Sequence, residues 1–270
     1  MRRATVFLAL FLGGAPTSLW AQADPAPDPI RLPGAISQVY GQEGRVRERL
    51  ESIVVPPKLE APFTLTLQTE WIKTLGDGGT ITLENERRIA RDGKGRIYQE
   101  RWLLVPKGGK AHSEMNAIQI SDPAAHTLYT CFVRETPHQC ELMTYSEPPG
   151  TEYRELSPPS GDLANGRGSA IHEELGTRFV AGVETRGVRD TVIYNSGAFG
   201  NDSPLKVERE FWYSPQLSLN LLSVRSDPRF GKETFTATTV LLGEPDPKLF
   251  ELPEGYAVVD HRPNAAPEDR

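Results

Sequence analysis

Residues 63–71 read FTLTLQTEW, and the alternation within them decides the architecture. Phe63, Leu65, Leu67 and Trp71 alternate with Thr64, Thr66, Gln68 and Glu70. A period of two puts one set of side chains on a buried face of a strand and the other toward solvent. GDGG at 76–79 then supplies a turn that a glycine-rich chain allows. Residues 80–91 (TITLENERRIAR) alternate again, DGKG at 92–95 gives a second turn, and 96–105 form a third alternating run. Three strands joined by short turns are antiparallel neighbours, which is the start of a meander.

The pattern continues in both length and kind. Further strands are expected at 116–121, 126–135, 139–145, 176–184, 187–194, 205–213, 217–226 and 233–242. A helical turn is expected at 245–250 and a closing strand at 256–260. Ser146 to Ser169 interrupts the run with prolines and glycines and little apolar content, so 146–170 reads as one long loop insertion over the surface. So many adjacent strands, about ten or eleven, twist and curl rather than lie flat. The expectation is a mainly β protein: a single curved antiparallel meander sheet, a half-barrel or incomplete barrel spanning 60–261, with one or two short helices packed on or in it.

The segments before and after that domain read differently. Residues 1–23 carry Arg2 and Arg3, an apolar run from Thr5 to Leu12, and end at Ala21-Gln22-Ala23, the pattern of a secretory signal peptide cut after Ala23. Cleavage removes two arginines and no acid, so the formal charge goes from −6 to −8. No later stretch is long and apolar enough to cross a membrane as a helix, and the mature chain is expected in the periplasm or outside the cell. Residues 24–35 form a Pro-rich mobile leader. Ile36, Val39, Tyr40, Val46, Leu50 and Ile53 recur at helical spacing, so 36–55 is expected to be a short helix ended by Pro56 and Pro57. The tail at 262–270 reads as polar and disordered.

An oxidising compartment changes how cysteines are read. Cys131 and Cys140 lie on the two arms of one expected hairpin, opposite each other if the hairpin is symmetric, and form a structural disulfide there. They lack the C-x-x-C spacing of a redox or zinc pair.

Chemistry is harder to find. None of the five histidines sits in an H-E-x-x-H or H-x-H pattern, so no metal set is expected. His172-Glu173-Glu174 is the one local acid–histidine cluster and reads as a solvated strand end. Gly166 to Ala170 approaches a nucleophile elbow but lacks its last glycine. No catalytic motif and no cofactor motif is recognised, and the acidic balance argues against nucleic acid as a partner. One feature is less ordinary. Asn85, Arg87, Glu100, Asp190 and Arg209 share strand faces with apolar residues, and a buried charge needs a partner. Pairing within the sheet is one explanation. The other is an amphiphile site with apolar walls from Leu65, Leu67, Trp71, Trp102 and Phe211, and with Arg87 and Arg209 for an anionic head group.

The last third of the chain carries recognisable text. EREFWYSPQLSL at 208–219 is followed by DPRFG at 227–231, GEPDPKLF at 243–250 and LPEGY at 252–256. This order resembles uncharacterised exported bacterial β-proteins, many from Acidobacteria, over residues 176–260. The strand count and closing turn over 63–260 are similar to the lipoprotein-carrier (LolA-type) half-barrels. That resemblance implies an incomplete barrel whose apolar concave face, capped by a helix, takes acyl chains. The insertion at 146–169 departs from the minimal pattern. Three readings follow: a non-enzymatic periplasmic protein sheltering a lipid or lipid-modified ligand, an envelope interaction or sensor module with a filled core that docks a protein partner, and, last, a hydrolase with an unrecognised site.

Overall fold

The computed structural model describes residues 36–38, 49–51, 53–152, 157 and 159–263. The expected signal peptide, the Pro-rich leader and most of the tail lie outside the described residues. Two short strands come first, β1 (Ile36–Gln38) and β2 (Arg49–Glu51), paired antiparallel. Then come β3 (Phe63–Thr74), β4 (Thr80–Arg91), β5 (Ile97–Trp102), β6 (Val105–Pro106), β7 (Met115–Asp122), β8 (Thr127–Phe132) and β9 (Gln139–Thr144). The second half holds β10 (Gly161–Asp162), β11 (Gly168–Val180), β12 (Val183–Tyr194), β13 (Leu205–Ser214), β14 (Leu219–Asp227), β15 (Gly231–Leu242) and β16 (Ala257–Asp260). Single 3₁₀ turns occupy Ala164–Gly166 and Pro247–Phe250.

From β3 onward the strands make one open, curved sheet of fourteen strands. Its order is β10-β11-β12-β13-β14-β15-β3-β4-β5-β7-β8-β9-β16, with β6 on β4. All pairings are antiparallel except β16 on β9. The meander is therefore two runs of hairpins joined in the middle, where β15 lies against β3 in a register that sets Leu67 opposite Ala237. Strand count exceeds the expectation because β6 and β10 are two-residue strands, too short to leave a period-two signature.

Two other expectations are corrected. Helix was expected over 36–55, but its described residues are the β1–β2 pair and an extended stretch from Ile53. Ile53-Val54-Val55 is β-branched throughout and runs into Pro56-Pro57, and both features disfavour helix. The 146–170 insertion is also shorter than expected. β10, the Ala164–Gly166 turn and the first residues of β11 all fall inside it. The remaining stretch carries the chain from β9, near one edge of the sheet, to β10 at the other. It crosses the 56–60 segment, where the Gly150 N–H donates to the Pro57 carbonyl and Lys58 pairs with Glu152 at 2.9 Å.

Alternation gives the sheet two apolar faces. On the first, Phe63, Leu65, Leu67, Trp71, Ile89, Ile97, Phe235 and Ala237 form one core together with Ile53 and Val55. Each large side chain buried there contributes roughly 1.5–3 kcal/mol. The second face is smaller: Ala90, Tyr98 and Ile120 are covered by Phe250 from the 3₁₀ turn, over whose ring the Arg96 guanidinium lies at 4.7 Å. Asp246 caps that turn by accepting from the Lys248 N–H.

The Cys131–Cys140 disulfide is present, between directly opposed residues of β8 and β9. A loop this small gives a cross-link worth about 2–3 kcal/mol.

Candidate functional site

The first face holds the candidate site, because there the apolar wall and buried charge meet. Leu65, Leu67 and Trp71 project from β3, and their cross-strand neighbours on β4 are Ile89, Arg87 and Leu83. Arg87 is thus opposite Leu67 in the middle of the wall, and it is buried. Its side chain reaches the Glu100 carbonyl at 3.4 Å. Burial pushes the Arg87 guanidinium well below its ordinary range, and the adjacent Arg101 pushes the same way. Arg101 stands on the same face of β5, donating from Nε to the Gln119 side chain at 2.7 Å, and burial lowers it to about 10. Two guanidinium groups so close repel each other and favour an anion nearby. Around them lie Asn85, which donates to the Trp102 carbonyl, and Gln99. Among the described residues neither Asn85 Oδ1 nor Gln99 Oε1, both buried, has a hydrogen-bond donor.

A second charged group runs along the same face across the other half of the sheet. Trp71 is opposite Glu233, Glu233 opposite Arg225, Arg225 opposite Arg209, Arg209 opposite Asp190, and Asp190 opposite His172. The result is one row over six strands, β3 to β11, with Asp190 and Glu233 buried. Asp190 holds His172 at 2.7 Å from Nδ1, while Glu174 is 3.3 Å from Nε2. The Asp190 hydrogen bond raises His172 above its ordinary range and so favours the cation. Phe211 is buried two residues from Arg209, on the same face of β13.

Trp102 is not part of this wall. Tyr98, Glu100 and Trp102 share the opposite face of β5, where the Glu100 carboxylate accepts from the Tyr98 hydroxyl, the Trp102 indole and the Arg88 side chain at 2.8–3.1 Å. Burial alone would raise Glu100, but the Trp102 and Arg88 hydrogen bonds outweigh it and hold the carboxyl below its usual range. Of the buried charges read from the sequence, Glu100 therefore pairs inside the sheet, and so does Asp190. Arg87 and Arg209 do lie on one face, four strands apart.

No protein-family description matches the chain, and no curated protein matches it. Among solved structures it is similar to the MucA/MucB complex of Pseudomonas aeruginosa, at 13% identity and a TM-score of 0.36, over 75% of this chain and 59% of that one. A structure of MucB gives the same identity and TM-score over 75% of this chain and 62% of that one. The chain thus spans about three fifths of the MucB chains it matches. An outer membrane lipoprotein-sorting protein domain from Vibrio parahaemolyticus matches at 10% identity and a TM-score of 0.17, over 70% of this chain and 88% of that one. A DUF1329 family protein from Desulfovibrio piger matches at 13% and 0.22, over 72% and 90%. Likenesses at these scores carry no argument about ligand or activity. A lipoprotein-sorting domain is of the class that the strand count and closing turn over 63–260 resemble, whereas none of the organisms of these neighbours supports the Acidobacteria likeness of the C-terminal motifs.

Sequence reading missed Arg101, Gln99, Arg225 and Glu233. Their own strands mark them only weakly, and the cross-strand register is what brings them onto one face. Gly231 gives a local clue to that register: its φ is +102°, and a Cβ there would sit 2.4 Å from the Ile72 carbonyl oxygen, so the β14–β15 turn can press against β3 only with glycine.

Proposed function

We propose that the chain is an exported, periplasmic, non-enzymatic binding protein that shelters a lipid or lipid-modified ligand against the first face of its sheet. The observation that carries this reading is the placement of buried Arg87, with Arg101 beside it, in line with Leu65, Leu67, Trp71 and Ile89. An acyl chain would lie on the apolar wall and an anionic head group would meet the guanidinium groups. The disulfide supports an oxidising compartment.

The test is native mass spectrometry of the mature protein purified from its own exporting host, followed by lipid extraction. A stoichiometric amphiphile whose occupancy falls at least tenfold in Arg87→Gln supports the reading. A clean apo mass, with no uptake of added anionic phospholipid, rejects it.

One observation favours a second reading, an envelope interaction module. The outer edge of β11 pairs with β10 only at Ser169 and Ala170, and Phe179 on that strand is 72% exposed. An extended segment of a partner protein could add to such an edge.

A further inference from the structure

β11 is the longest strand of the sheet, thirteen residues, and its outer side meets β10 only over Gly161 and Asp162. The His172 N–H donates outward, to the Ser160 hydroxyl at 2.8 Å, which fixes the direction of the backbone there. Along an antiparallel strand that direction alternates, so Glu174 also points its amide away from β12 and Glu173 points toward it. A bulge at Leu175 then resets both direction and face, because Glu174 is opposite Val188 but Gly176 is opposite Gly187. Gly176 permits it with a φ of +80°. Beyond the bulge Thr177 and Phe179 point outward, on the same face as His172 and Glu174. Glu173 and Arg178, five residues apart, share the other face with Ile171 and Val180.

That arrangement makes the edge complementary to itself. A two-fold axis through the sheet between Leu175 and Gly176 lays a second β11 antiparallel on the first. Glu173 then stands opposite the second copy's Arg178, Glu174 opposite its Thr177, His172 opposite its Phe179 and Ile171 opposite its Val180. Both members of every pair lie on one face, and the outward amides of Glu174 and Thr177 meet each other. Without the bulge, residues five apart would lie on opposite faces and no such register would exist.

We infer that two copies of this chain join through β11 into one continuous sheet. Charge complementarity selects a second copy, because the edge carries an acid and a base at the spacing the two-fold axis requires. Glu173 is 3.8 Å from the Arg189 guanidinium, whose short bond of 2.9 Å goes to Glu210, so its carboxylate has room for a second cation. Arg178 lies over the Trp212 ring at 3.7 Å, a contact through the ring face, and a guanidinium has five N–H donors with which to meet a carboxylate. Ile171 and Phe179, 45% and 72% exposed, are covered in the same step. Exposed edges are commonly guarded by proline or lysine, and residues 168–180 contain neither. The bulge and the charges, which can also guard an edge, are here what set its register. β16, at the other edge, has four residues, and joining unlike edges would build an open chain of copies rather than a closed pair. The inference goes beyond ligand sheltering and assigns to a second copy the edge that the second reading gives to a partner protein.

The mature protein is examined by sedimentation velocity over a range of concentrations, and a dimer is expected. Glu173→Arg sets arginine against Arg178, and Arg178→Glu sets acid against Glu173, at two symmetric places in each dimer. Each variant alone is expected to dissociate about tenfold more readily than wild type. Mixed in equal amounts they restore both pairs, so the mixture is expected to dimerise as wild type does. Glu173→Cys mixed with Arg178→Cys is expected to cross-link under mild oxidation, because opposed residues whose amides point apart stand at disulfide distance. Wild type that stays a monomer up to about 100 μM overturns the inference. So do dimers that Glu173→Arg leaves intact, folded charge variants that stay monomeric when mixed, or a cysteine mixture that does not cross-link. A monomer that adds a partner protein's segment to β11 overturns it as well and leaves the interaction-module reading standing. Bound amphiphile is read by mass per copy, so ligand sheltering stands or falls separately.

Discussion

Arg91 and Leu217 are 126 residues apart in sequence and joined by a 2.8 Å hydrogen bond from the Arg91 Nη2 to the Leu217 carbonyl. The same guanidinium donates to the Pro56 and Ala61 carbonyls, so one fully buried side chain fastens the β13–β14 turn and the 53–61 segment to β4. Burial lowers it to about 10, which leaves it charged at neutral pH. Arg91→Met should cost about 3–5 kcal/mol, since a hydrogen bond to a charged group contributes about 1.5–3 kcal/mol and orphaned carbonyls add to the loss. Urea denaturation checks this. Arg91→Lys, a point charge that cannot span three acceptors, should recover less than half.

Glu100 sets an acid limit on stability. Its carboxyl is held below the ordinary range in the folded chain, so its contribution is complete above the unfolded carboxyl pKa and is lost as pH falls through the folded one. Glu100→Gln should destabilise by about 2–4 kcal/mol at pH 7, with the gap to wild type closing below about pH 4. A gap that stays constant down to pH 3 would remove the carboxylate from the explanation.

His172 acts in the opposite sense. The Asp190 hydrogen bond raises its pKa on folding, so its contribution is full below about pH 6.5, the unfolded value, and is lost as pH rises through the folded value. The stability difference between wild type and His172→Gln should narrow from pH 6 to pH 9. An NMR titration should place the His172 midpoint above that of a free histidine.

Gly187 leaves room for Trp212. A Cβ at position 187 would lie 2.7 Å from the indole ring, which is itself stacked under the Arg178 guanidinium at 3.7 Å. Gly187→Ala should displace the ring and destabilise by about 1–3 kcal/mol, with a changed near-ultraviolet dichroism signal. Arg178→Ala, which frees one side of the ring, should relieve part of that cost.

Local patterning carried most of the architecture. FTLTLQTEW at 63–71 lies within β3, and the turns at 76–79 and 92–95 flank β4 where expected. Cys131 and Cys140 face each other because hairpin geometry is local, and two residues equidistant from a turn meet. What depended on distant partners was not legible. Ile53 falls at helical spacing after Val46 and Leu50, yet its stretch is drawn out by the adjoining Pro56 and Pro57 and held by the Arg91 side chain 35 residues beyond Pro56. Trp102 looked like a wall residue because its strand alternates. Alternation in fact sets it with Tyr98 and Glu100 on the opposite face, where its indole donates to the Glu100 carboxylate. The row from Trp71 to His172 needs five strand registers at once, and no single stretch of sequence encodes five registers.

The joint between β15 and β3 has a consequence for how the molecule comes into being. Thr238 donates to the Thr66 carbonyl across 172 residues of chain, in the middle of the sheet. A ribosome makes β3 early and β15 almost last, so the central strand waits with one flank open while nearly every other strand is synthesised. Leu65 and Leu67 have no β15 neighbour until then, and so distant a pairing is expected to slow folding. A chain cut short before residue 231 would keep every hairpin of its first half and still lack the strand that joins the two halves into one sheet. Truncation should then yield an aggregation-prone fragment with an exposed strand template, not a smaller working protein.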